Sequence, residues 1–421
     1  MNTCPSLLAA ALLLAVSLRA GAAAAPSTPP KWQVGKPIVT YWAGPTLTDA
    51  TAQQMAEGGW NLVWCGEKEL DVAQRHGLRA QLMDGLLSPA TLDNPVQREK
   101  LDALIARVRN HPALYNYFVT DEPSATNFVS LGRLVTHLRD RDPAHLTYIN
   151  LFPTYASNEQ LGTKGDTVTA YREHLRQFVN VVKPDLLSYD HYQFNVTGDS
   201  PNYFLNLAMI RSAALEAGVP FLNIVQACSW AANVRVPTED ELRYLVYTTL
   251  AYGAQGISYY VYQAPGHTRS IANPDGSPSP IYQPLKRLNR EFLAIASELQ
   301  PLRSIGVYHA GMLPPGALSL PKKPAFRLDP PLPTADFKPP SPVKGVLLGC
   351  FAPAGKARDA SNATHLVLVN LDYQAEAKVA LRGPRRLEIF DAESGRWSAI
   401  NGSRTELQLP RGSGVLIRVR K

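Results

Sequence analysis

The sequence predicts an α/β protein: a (β/α)8 TIM barrel followed by a small C-terminal all-β sandwich. Two observations predict this fold. Short β-branched or aromatic runs alternate with amphipathic stretches in eight units between residues 36 and 302, and the composition changes after Pro314. Strands that alternate with helices form helix-covered parallel sheets, and eight units fit a barrel of about 250 residues. An open doubly wound sheet is the competing fold, but the chain has neither a G-x-G-x-x-G motif nor a P-loop.

The first predicted element is a signal peptide over residues 1–25. Leu7 to Leu18 form an apolar run that is too short to cross a hydrocarbon core about 30 Å thick, but it has the length of a signal-peptide h-region. The small residues Ala23 to Ala25 then offer a cleavage site. We therefore expect a secreted or periplasmic protein with no membrane contact after cleavage. An uncleaved anchor is the alternative.

The barrel domain is predicted over residues 33–309. Its eight strands are centred on residues 37–44, 60–68, 78–86, 113–122, 145–153, 185–194, 219–230 and 256–265. Between them, residues 97–110 have the apolar periodicity of a helix, and Gly218 is placed as a helix C-cap. Thr238 and Glu241 have the spacing of a capping box at the start of another helix.

A proline-rich connector over residues 310–343 separates the barrel from the β module. Ten prolines fall within the 29 residues from Pro314 to Pro342, and proline is excluded from helix interiors and central strands. After the connector, residues 344–421 contain short strand-like runs separated by turn residues such as Gly395. This pattern indicates a small β-sandwich.

The composition excludes several classes of function. The 42 Lys and Arg residues exceed the 35 Asp and Glu residues, giving a formal charge of +7, but they are scattered with no run longer than two. Nucleic-acid binding is therefore not expected. Only Cys65, Cys228 and Cys350 remain after the predicted cleavage, too few for a disulfide scaffold and without a Cys/His pair at ligand spacing. We expect no metal and no other cofactor, and the sequence gives no indication of oligomeric state.

Polar and aromatic residues collect at the predicted C-terminal ends of the strands, where barrel enzymes place their active sites. Carboxylates and amides can bind sugar hydroxyls, aromatic faces can cover sugar C–H surfaces, and two carboxyl groups can supply acid and base catalysis. The predicted catalytic residues are Asp121, Glu122 and Asp190, and the predicted substrate-binding residues are Trp42, Trp64, Glu67, Asp84, Asn150, Tyr189, His191, Tyr192, Gln226, Trp230 and Tyr260.

Most of these residues also have a structural interpretation. The three tryptophans could pack in the barrel core, and Glu67 and Asp84 could form ion pairs with a loop Lys or Arg. His191 could be a hydrogen-bonded residue at a strand end. Asp190 could orient Glu122 or a sugar hydroxyl rather than react.

The strongest local signal is the segment YFVTDEPS, residues 117–124, at the end of the fourth strand. Asp121 and Glu122 are adjacent, so their side chains point in different directions on a pleated strand. Two carboxylates this close raise the pKa of one of them, which a general acid working near neutral pH requires. The alternative is that either acid caps the following helix, where acidic residues are common.

This DEP segment, with YINLFPTY and SYDHYQF after it, makes residues 36–302 resemble (β/α)8 glycoside hydrolases, including secreted bacterial proteins described as glycoside hydrolase-like. The segment LEIFDAESGRW resembles the β-sandwich that often follows such barrels. In the clan of family 5 and family 42 enzymes, the general acid is the Glu of an Asn-Glu pair after strand 4. Glu122 matches that residue, with Asp121 in place of the Asn. The resemblance implies a carbohydrate substrate and Glu122 as general acid or base.

The sequence departs from that clan at strand 7, where the family has a glutamate nucleophile. Gln226 lies near the end of this strand, which contains no carboxylate. One explanation is that Asp121 and Glu122 resemble the pair of family 20 and family 123 hexosaminidases, which use the substrate's own acetamido group as nucleophile. Another is that Asp190 or Asp84 supplies the second carboxylate.

The sequence therefore predicts a secreted glycosidase that cleaves O-glycosidic bonds of an oligo- or polysaccharide. A substrate-assisted N-acetylhexosaminidase and a non-catalytic carbohydrate-binding barrel are the alternatives. A metal-dependent hydrolase is disfavoured, because barrel metal sites usually begin with an H-x-H motif on strand 1 and this strand has no histidine.

Overall fold

The computed structural model describes residues 32–420, and the predicted signal peptide lies outside this range. A barrel with surrounding helices comes first, and antiparallel sheets follow from residue 302 onward. The predicted fold class is therefore confirmed. None of the helices in residues 32–420 is both long enough and apolar enough to cross a bilayer.

Eight parallel strands form the barrel wall. They are β1 (Ile38–Trp42), β2 (Leu62–Cys65), β3 (Arg79–Leu82), β4 (Leu114–Asp121), β5 (Leu146–Leu151), β6 (Leu187–His191), β7 (Phe221–Gln226) and β8 (Gly256–Tyr260). Around the sheet, neighbouring strands follow the order β1-β8-β7-β6-β5-β4-β3-β2. Each pair is parallel, as expected where a helix connects one strand to the next.

The barrel closes between β1 and β2 through Asn61, the residue before β2. The Asn61 backbone N–H donates to the Val39 carbonyl oxygen over 3.0 Å, and Asn61 Oδ1 accepts from the Val39 N–H over 3.0 Å. One residue further along each strand, Thr40 Oγ1 donates to the Leu62 carbonyl oxygen over 2.9 Å. Side chains thus provide partners for backbone groups at this seam, where an unpaired buried group would destabilise the fold.

Helices pack around the outside of the strands. They are α1 (Asp49–Glu57), α2 (Leu70–Arg75), α3 (Pro95–Val108), α4 (Phe128–Arg141), α5 (Asn158–Leu161), α6 (Thr167–Gln177), α7 (Tyr203–Ala217), α8 (Glu239–Tyr252) and α9 (Tyr282–Leu299). The predicted capping box begins α8, where the Thr238 N–H donates to Glu241 Oε2 over 2.8 Å and the Glu241 N–H donates to Thr238 Oγ1 over 3.3 Å. Gly218 ends α7 with φ of 68°, in the left-handed region that glycine adopts without steric cost.

Alternate residues of each strand pack into two separate apolar layers. Inward-facing Ile38, Tyr148 and Leu222 belong to the barrel interior. Outward-facing Tyr41 and Tyr189 belong to the larger core between the strands and the helices. A side chain at a strand end is therefore directed to the barrel mouth only when it has the inward parity.

The C-terminal module begins with β9 (Leu302–Gly311), which pairs antiparallel with β10 (Gly345–Pro353). This places the start of the module before the predicted boundary between residues 309 and 310, because the strand after the last barrel helix already belongs to the second sheet. The other strands are β11 (His365–Asn370), β12 (Ala377–Arg382), β13 (Leu387–Asp391), β14 (Arg396–Ala399), β15 (Arg404–Leu409) and β16 (Gly414–Val419). One sheet has the order β9-β10-β11-β16-β13-β14, and β12 and β15 belong to a smaller sheet.

The proline-rich connector runs between β9 and β10 and contributes the two-residue edge strand Arg327–Leu328 to the smaller sheet. At the edge of a sheet, a proline-rich segment can pair on one side without interrupting the hydrogen bonds of a central strand. Near its end the connector returns to the barrel. The Pro340 carbonyl oxygen accepts a 2.9 Å hydrogen bond from the backbone N–H of Asp199, in the loop after β6. The connector therefore contributes to the C-terminal face of the barrel.

Candidate active site

A bulge near the end of β4 sets the direction of the two adjacent acids. The register against β5 skips Val119, so Asp121 lies opposite the inward-facing Asn150. Glu122 follows with φ of 43°, and its N–H donates to the Asn150 carbonyl oxygen over 2.9 Å. A left-handed backbone costs a non-glycine residue roughly 1–2 kcal/mol. Such residues are concentrated at functional sites, where the surrounding structure enforces them.

The Glu122 carboxyl group hydrogen-bonds to the carboxyl group of Asp190, on β6. Asp190 is only 3% exposed, and Glu122 is half-buried. Burial, and next the charge of Asp121, raise the pKa of Glu122 to about 7. Burial, and next the charge of Glu122, hold the pKa of Asp190 well above its usual range. The two carboxyl groups therefore titrate as an interacting pair and not as independent acids.

Asn150 holds two of the three acids in place. Its Nδ2 donates to Asp190 Oδ1 over 2.8 Å and to Asp121 Oδ1 over 3.0 Å. Its Oδ1 accepts a 2.9 Å hydrogen bond from Ser188 Oγ, which in turn lies 2.8 Å from the Tyr148 hydroxyl. An asparagine amide has two N–H donors, and those of Asn150 are taken by Asp121 and Asp190. Asn150 therefore positions the acids and is not the substrate ligand that the sequence predicted.

Glu122 and Asp190 line a cavity of about 660 Å³ at the C-terminal face of the barrel. This volume lies within the roughly 300–1,000 Å³ of small-molecule sites. Loops after β5, β6 and β7 form its walls, together with Pro340 of the connector. The cavity is therefore built by both parts of the chain.

Two predicted aromatic residues, Tyr192 and Trp230, line this cavity. Their ring centroids lie 4.6 Å apart, and the ring of Tyr260 lies 5.0 Å from Tyr192 and 4.8 Å from Trp230. Rings fixed by their neighbours in this way offer rigid apolar faces to a ligand at low entropic cost. The structure thus brings these three predicted residues together.

A second aromatic cluster contains the other two predicted tryptophans. The Trp42 ring lies 4.8 Å from Trp64 and 5.8 Å from Phe118, and Phe118 stacks on Tyr148 at 6.1 Å. Trp42 packs against the interior layer of the barrel, and none of these rings lines the 660 Å³ cavity. Packing among aromatic side chains of the barrel, the structural alternative for Trp42 and Trp64, therefore accounts for their contacts.

Tyr189 and His191 do not reach the cavity. Tyr189 is fully buried in the layer between strands and helices. His191 is also fully buried, with Nδ1 2.9 Å from Asn206 Oδ1 and Nε2 2.9 Å from Ser200 Oγ. Both residues have the outward parity of β6, opposite to Asp190, so the structure corrects their assignment to substrate binding.

Glu67, Asp84 and Gln226 are each occupied by other partners. Glu67 forms a bidentate ion pair with Arg107, at 2.6 and 2.9 Å, which lowers the pKa of Glu67. Asp84 Oδ1 accepts from the backbone N–H of Leu86 over 2.8 Å. None of the three lines the cavity with Glu122.

Gln226 fixes a two-stranded loop after β6, in which Phe194–Asn195 pairs with Gly198–Asp199; we call it the β6 hairpin. Gln226 Oε1 accepts from the Phe194 N–H over 2.8 Å, and Nε2 donates to the carbonyl oxygens of Phe194 over 3.0 Å and Arg235 over 2.6 Å. Its amide is satisfied by backbone groups. Gln226 therefore shapes the wall of the cavity, and its predicted role as a substrate ligand is corrected.

Sequence reasoning did not select Phe152, Tyr155 or Pro340, which also line the cavity. Tyr155 has a half-exposed ring at 51% exposure, and its ring centroid lies 5.1 Å from that of His191. Tyr155 could have been predicted, because it is an aromatic residue in the loop directly after β5. Pro340 could not, because no sequence pattern near it indicates that the connector reaches the cavity.

The site residues contain no obvious metal centre. Within residues 32–420, no group of three His, Cys, Asp or Glu side chains is arranged to hold a metal ion. Asn150 donates to Asp121 and Asp190, Glu122 is hydrogen-bonded to Asp190, and Glu122 and Asp190 line the cavity. The arrangement can therefore hold and transfer a proton.

Comparison with solved structures finds glycoside hydrolase barrels. A provisionally assigned alpha-galactosidase of Bacteroides fragilis NCTC 9343 is 9% identical and matches 92% of this chain and 80% of its own, with a TM-score of 0.51. A glycoside hydrolase family 5 mannosidase of Rhizomucor miehei is 12% identical over 60% of this chain and 88% of its own, with a TM-score of 0.41. No protein-family model matches the sequence, and no curated protein matches it. At this level of identity, the first match shows that the chain has the (β/α)8 fold found among glycoside hydrolases.

Proposed function

We propose that the protein is a glycoside hydrolase in which Glu122 is the general acid. The observation that carries this proposal is the Glu122 carboxyl group, which lines the cavity and has a pKa of about 7. A carboxyl group with this pKa is protonated often enough near neutral pH to protonate a leaving-group oxygen. The C-terminal ends of barrel strands are also where (β/α)8 enzymes carry out their chemistry.

In the proposed reaction, Glu122 donates its proton to the glycosidic oxygen as the C–O bond breaks. The oxygen of a water molecule then bonds to the anomeric carbon as that water gives one proton to the Glu122 carboxylate, which restores the acid and completes hydrolysis. Asp190 keeps the Glu122 carboxyl group oriented through their hydrogen bond. Tyr192 and Trp230 supply aromatic surface for the C–H face of a sugar ring.

A specific observation favours the substrate-assisted route as a second candidate. Retaining glycosidases place two carboxyl groups about 5 Å apart, and inverting enzymes about 6.5–9.5 Å apart. The carboxyl groups of Glu122 and Asp190 are hydrogen-bonded to each other, so Asp190 holds Glu122 instead of facing it across a substrate. Asp190 is therefore a poor second carboxylate, and Gln226 on β7 is bonded to backbone groups. A nucleophilic acetamido group on the substrate, oriented by Asp121, would make a second carboxylate unnecessary.

The test compares the purified protein with Glu122→Gln on aryl glycosides, with and without a 2-acetamido group. We expect the variant to lose about 10²–10⁴-fold in kcat/KM. The loss should be larger for poorly acidic phenol leaving groups than for nitrophenol, because a good leaving group needs little protonation. Glu173→Gln, which changes a partly exposed acid on α6 that pairs with Arg176, is the matched control.

The outcomes separate the candidates. Activity restricted to 2-acetamido sugars, with inhibition by a thiazoline mimic of the cyclised intermediate, supports the substrate-assisted route. Equal activity on sugars lacking that group excludes it. If wild-type protein binds glycans but cleaves none of the panel, the protein is a carbohydrate-binding barrel and the enzymatic proposal is overturned.

We also propose export as a secreted or periplasmic protein, on the basis of the apolar run from Leu7 to Leu18 and the small residues after it. N-terminal sequencing of the protein released from expressing cells tests this proposal. A mature N-terminus near Pro26 supports it, and an intact Met1 in the cytoplasm contradicts it.

A further inference from the structure

A second cavity lies at the opposite end of the barrel, where α7, α9 and the turn before β8 meet the first strand of the C-terminal module. It has a volume of about 230 Å³, and we call it the base cavity. Its polar lining includes Arg211, Gln300 and Arg303, and its apolar lining includes Leu215, Val219 and Phe351. Glu122 and Asp190 line the other cavity, so the base cavity is separate from the proposed active site.

Arg211 on α7 brings a positive charge to this cavity without a matching carboxylate. The guanidinium group is partly buried, and Nε donates to Ser304 Oγ over 2.8 Å while Nη2 donates to the Ser304 carbonyl oxygen over 3.1 Å. In the described part of the chain, no Asp or Glu lines the cavity, and the groups whose charges act on Arg211 include the like charge of Arg303 but no carboxylate. Burial, which disfavours the charged form, lowers the pKa of Arg211. A buried charge without a counter-ion is costly.

The base cavity also has unused hydrogen-bond donors. A guanidinium group has five N–H donors, and within residues 32–420 the hydrogen bonds of Arg211 are those of Nε and Nη2 to Ser304. Gln300 is 7% exposed, and its Oε1 accepts from the Lys36 N–H over 3.1 Å. The Gln300 Nε2 group is buried and has no hydrogen-bond partner within residues 32–420. Donors of this kind complement an anion and not a cation.

We propose that the base cavity binds a small organic carboxylate, with its carboxylate group on Arg211 and its apolar part against Leu215, Val219 and Phe351. Arg–carboxylate pairs are bidentate and strong in partly desolvated sites. The apolar lining distinguishes an organic acid from a bare inorganic anion, since burial of a hydrocarbon group adds favourable free energy. The volume suits a compact ligand, because it lies below the usual range for larger small molecules.

Calorimetric titration with sodium benzoate tests this proposal, with neutral benzamide as the isosteric control and sodium phosphate as the inorganic anion. We expect saturable one-to-one binding of benzoate. Benzamide and phosphate should each bind with an affinity about tenfold or more below that of benzoate. Arg211→Gln should weaken benzoate binding about tenfold or more, and Arg211→Lys should weaken it less. Arg176→Gln on α6, whose arginine pairs with Glu173 on the surface, should leave binding unchanged.

Arg211 also connects α7 to β9 through Ser304, so Arg211→Gln can lower stability. Arg303→Gln, at the exposed edge of the cavity, provides a second variant that does not carry this contact. We expect it to weaken benzoate binding several-fold while the fold is retained. No saturable benzoate binding to wild-type protein, equal binding of benzamide, or full affinity in folded Arg211→Gln would each overturn the proposal. Equal binding of phosphate would also overturn the assignment to an organic acid.

Discussion

The carboxyl group of Glu122 is affected by two neighbouring acids in different ways. The charge of Asp121 raises the Glu122 pKa, whereas the hydrogen bond from Asp190 lowers it. Burial makes the largest contribution and brings the pKa to about 7. The sequence shows that two adjacent acids are present, but the participation of Asp190 depends on how β4 and β6 are arranged in the barrel.

The pH profile of the reaction should report this environment. A general acid is active in its protonated form, so kcat/KM should fall as the pH rises through about 7. Asp121→Asn removes the charge that raises the Glu122 pKa and keeps an oxygen that can accept the Asn150 hydrogen bond. We expect it to move this basic limb to lower pH, as measured by kcat/KM between about pH 4 and 9. An unmoved limb would show that Asp121 does not act on Glu122.

Glu122 should also affect stability in a pH-dependent manner. Its pKa is raised from 4.5 to about 7 on folding, so its contribution to stability is present below the lower value and lost as the pH rises through the higher one. Glu122→Gln should therefore stabilise the protein at about pH 8, by on the order of 1 kcal/mol after solvent screening, and have less effect at about pH 5.

Urea unfolding of both proteins at the two pH values measures this difference. Glu173 is the opposite case, because its hydrogen bonds to Arg176 and Gln177 lower its pKa to about 2. Glu173→Gln should destabilise the protein at the higher pH. If both variants shift stability in the same direction, the assigned pKa of Glu122 is wrong.

At the scale of secondary-structure elements, the β6 hairpin forms one wall of the cavity. Gln226 on β7 hydrogen-bonds to the Phe194 backbone of this hairpin and to the Arg235 carbonyl oxygen. Arg235 lies over the Phe194 ring, 4.7 Å from its centroid, and forms a bidentate ion pair with Glu241 at 2.5 and 2.6 Å. Gln226, at the strand position where the family resemblance predicts a nucleophile, therefore holds the β6 hairpin in place.

Gln226→Glu tests whether a carboxylate there restores a nucleophile. The introduced carboxylate would face the carbonyl oxygens of Phe194 and Arg235 without a proton to donate. We expect a loss of about 1–3 kcal/mol in the free energy of unfolding and no gain in activity. Gln74→Glu, on an exposed residue of α2, is the matched control. An increase in kcat would show that the residue at 226 can reach the substrate.

At the scale of the whole molecule, the C-terminal module supports the same wall. The Tyr373 hydroxyl lies 2.9 Å from each Asp199 carboxylate oxygen, and the Pro340 carbonyl oxygen accepts from the Asp199 N–H over 2.9 Å. A Cβ added at Gly198 would lie 2.6 Å from the Pro340 carbonyl oxygen, so this approach requires glycine. The module therefore helps to shape the cavity, although its own sheets lie outside the barrel.

Tyr373→Phe should loosen this contact while the module stays folded. We expect KM to rise several-fold with a smaller change in kcat, because the wall of the cavity moves and the acids do not. Tyr308→Phe on β9, in the same module, is the control and should leave both constants unchanged. Steady-state kinetics on the substrate identified above measures the effect. A fall in kcat without a change in KM would contradict a role confined to the wall.

The amino-acid sequence by itself determined the barrel, the later β module and the Asp121–Glu122 pair. Strand and helix periodicities and the proline-rich connector are local properties, so they can be read from neighbouring residues. Tertiary structure decided which residues meet. The bulge at Val119 and the positive φ of Glu122 bring that acid to Asp190, and strand parity keeps Tyr189 and His191 out of the cavity. Side-chain partners far apart in the sequence depend on strand register and parity, which local pattern does not fix.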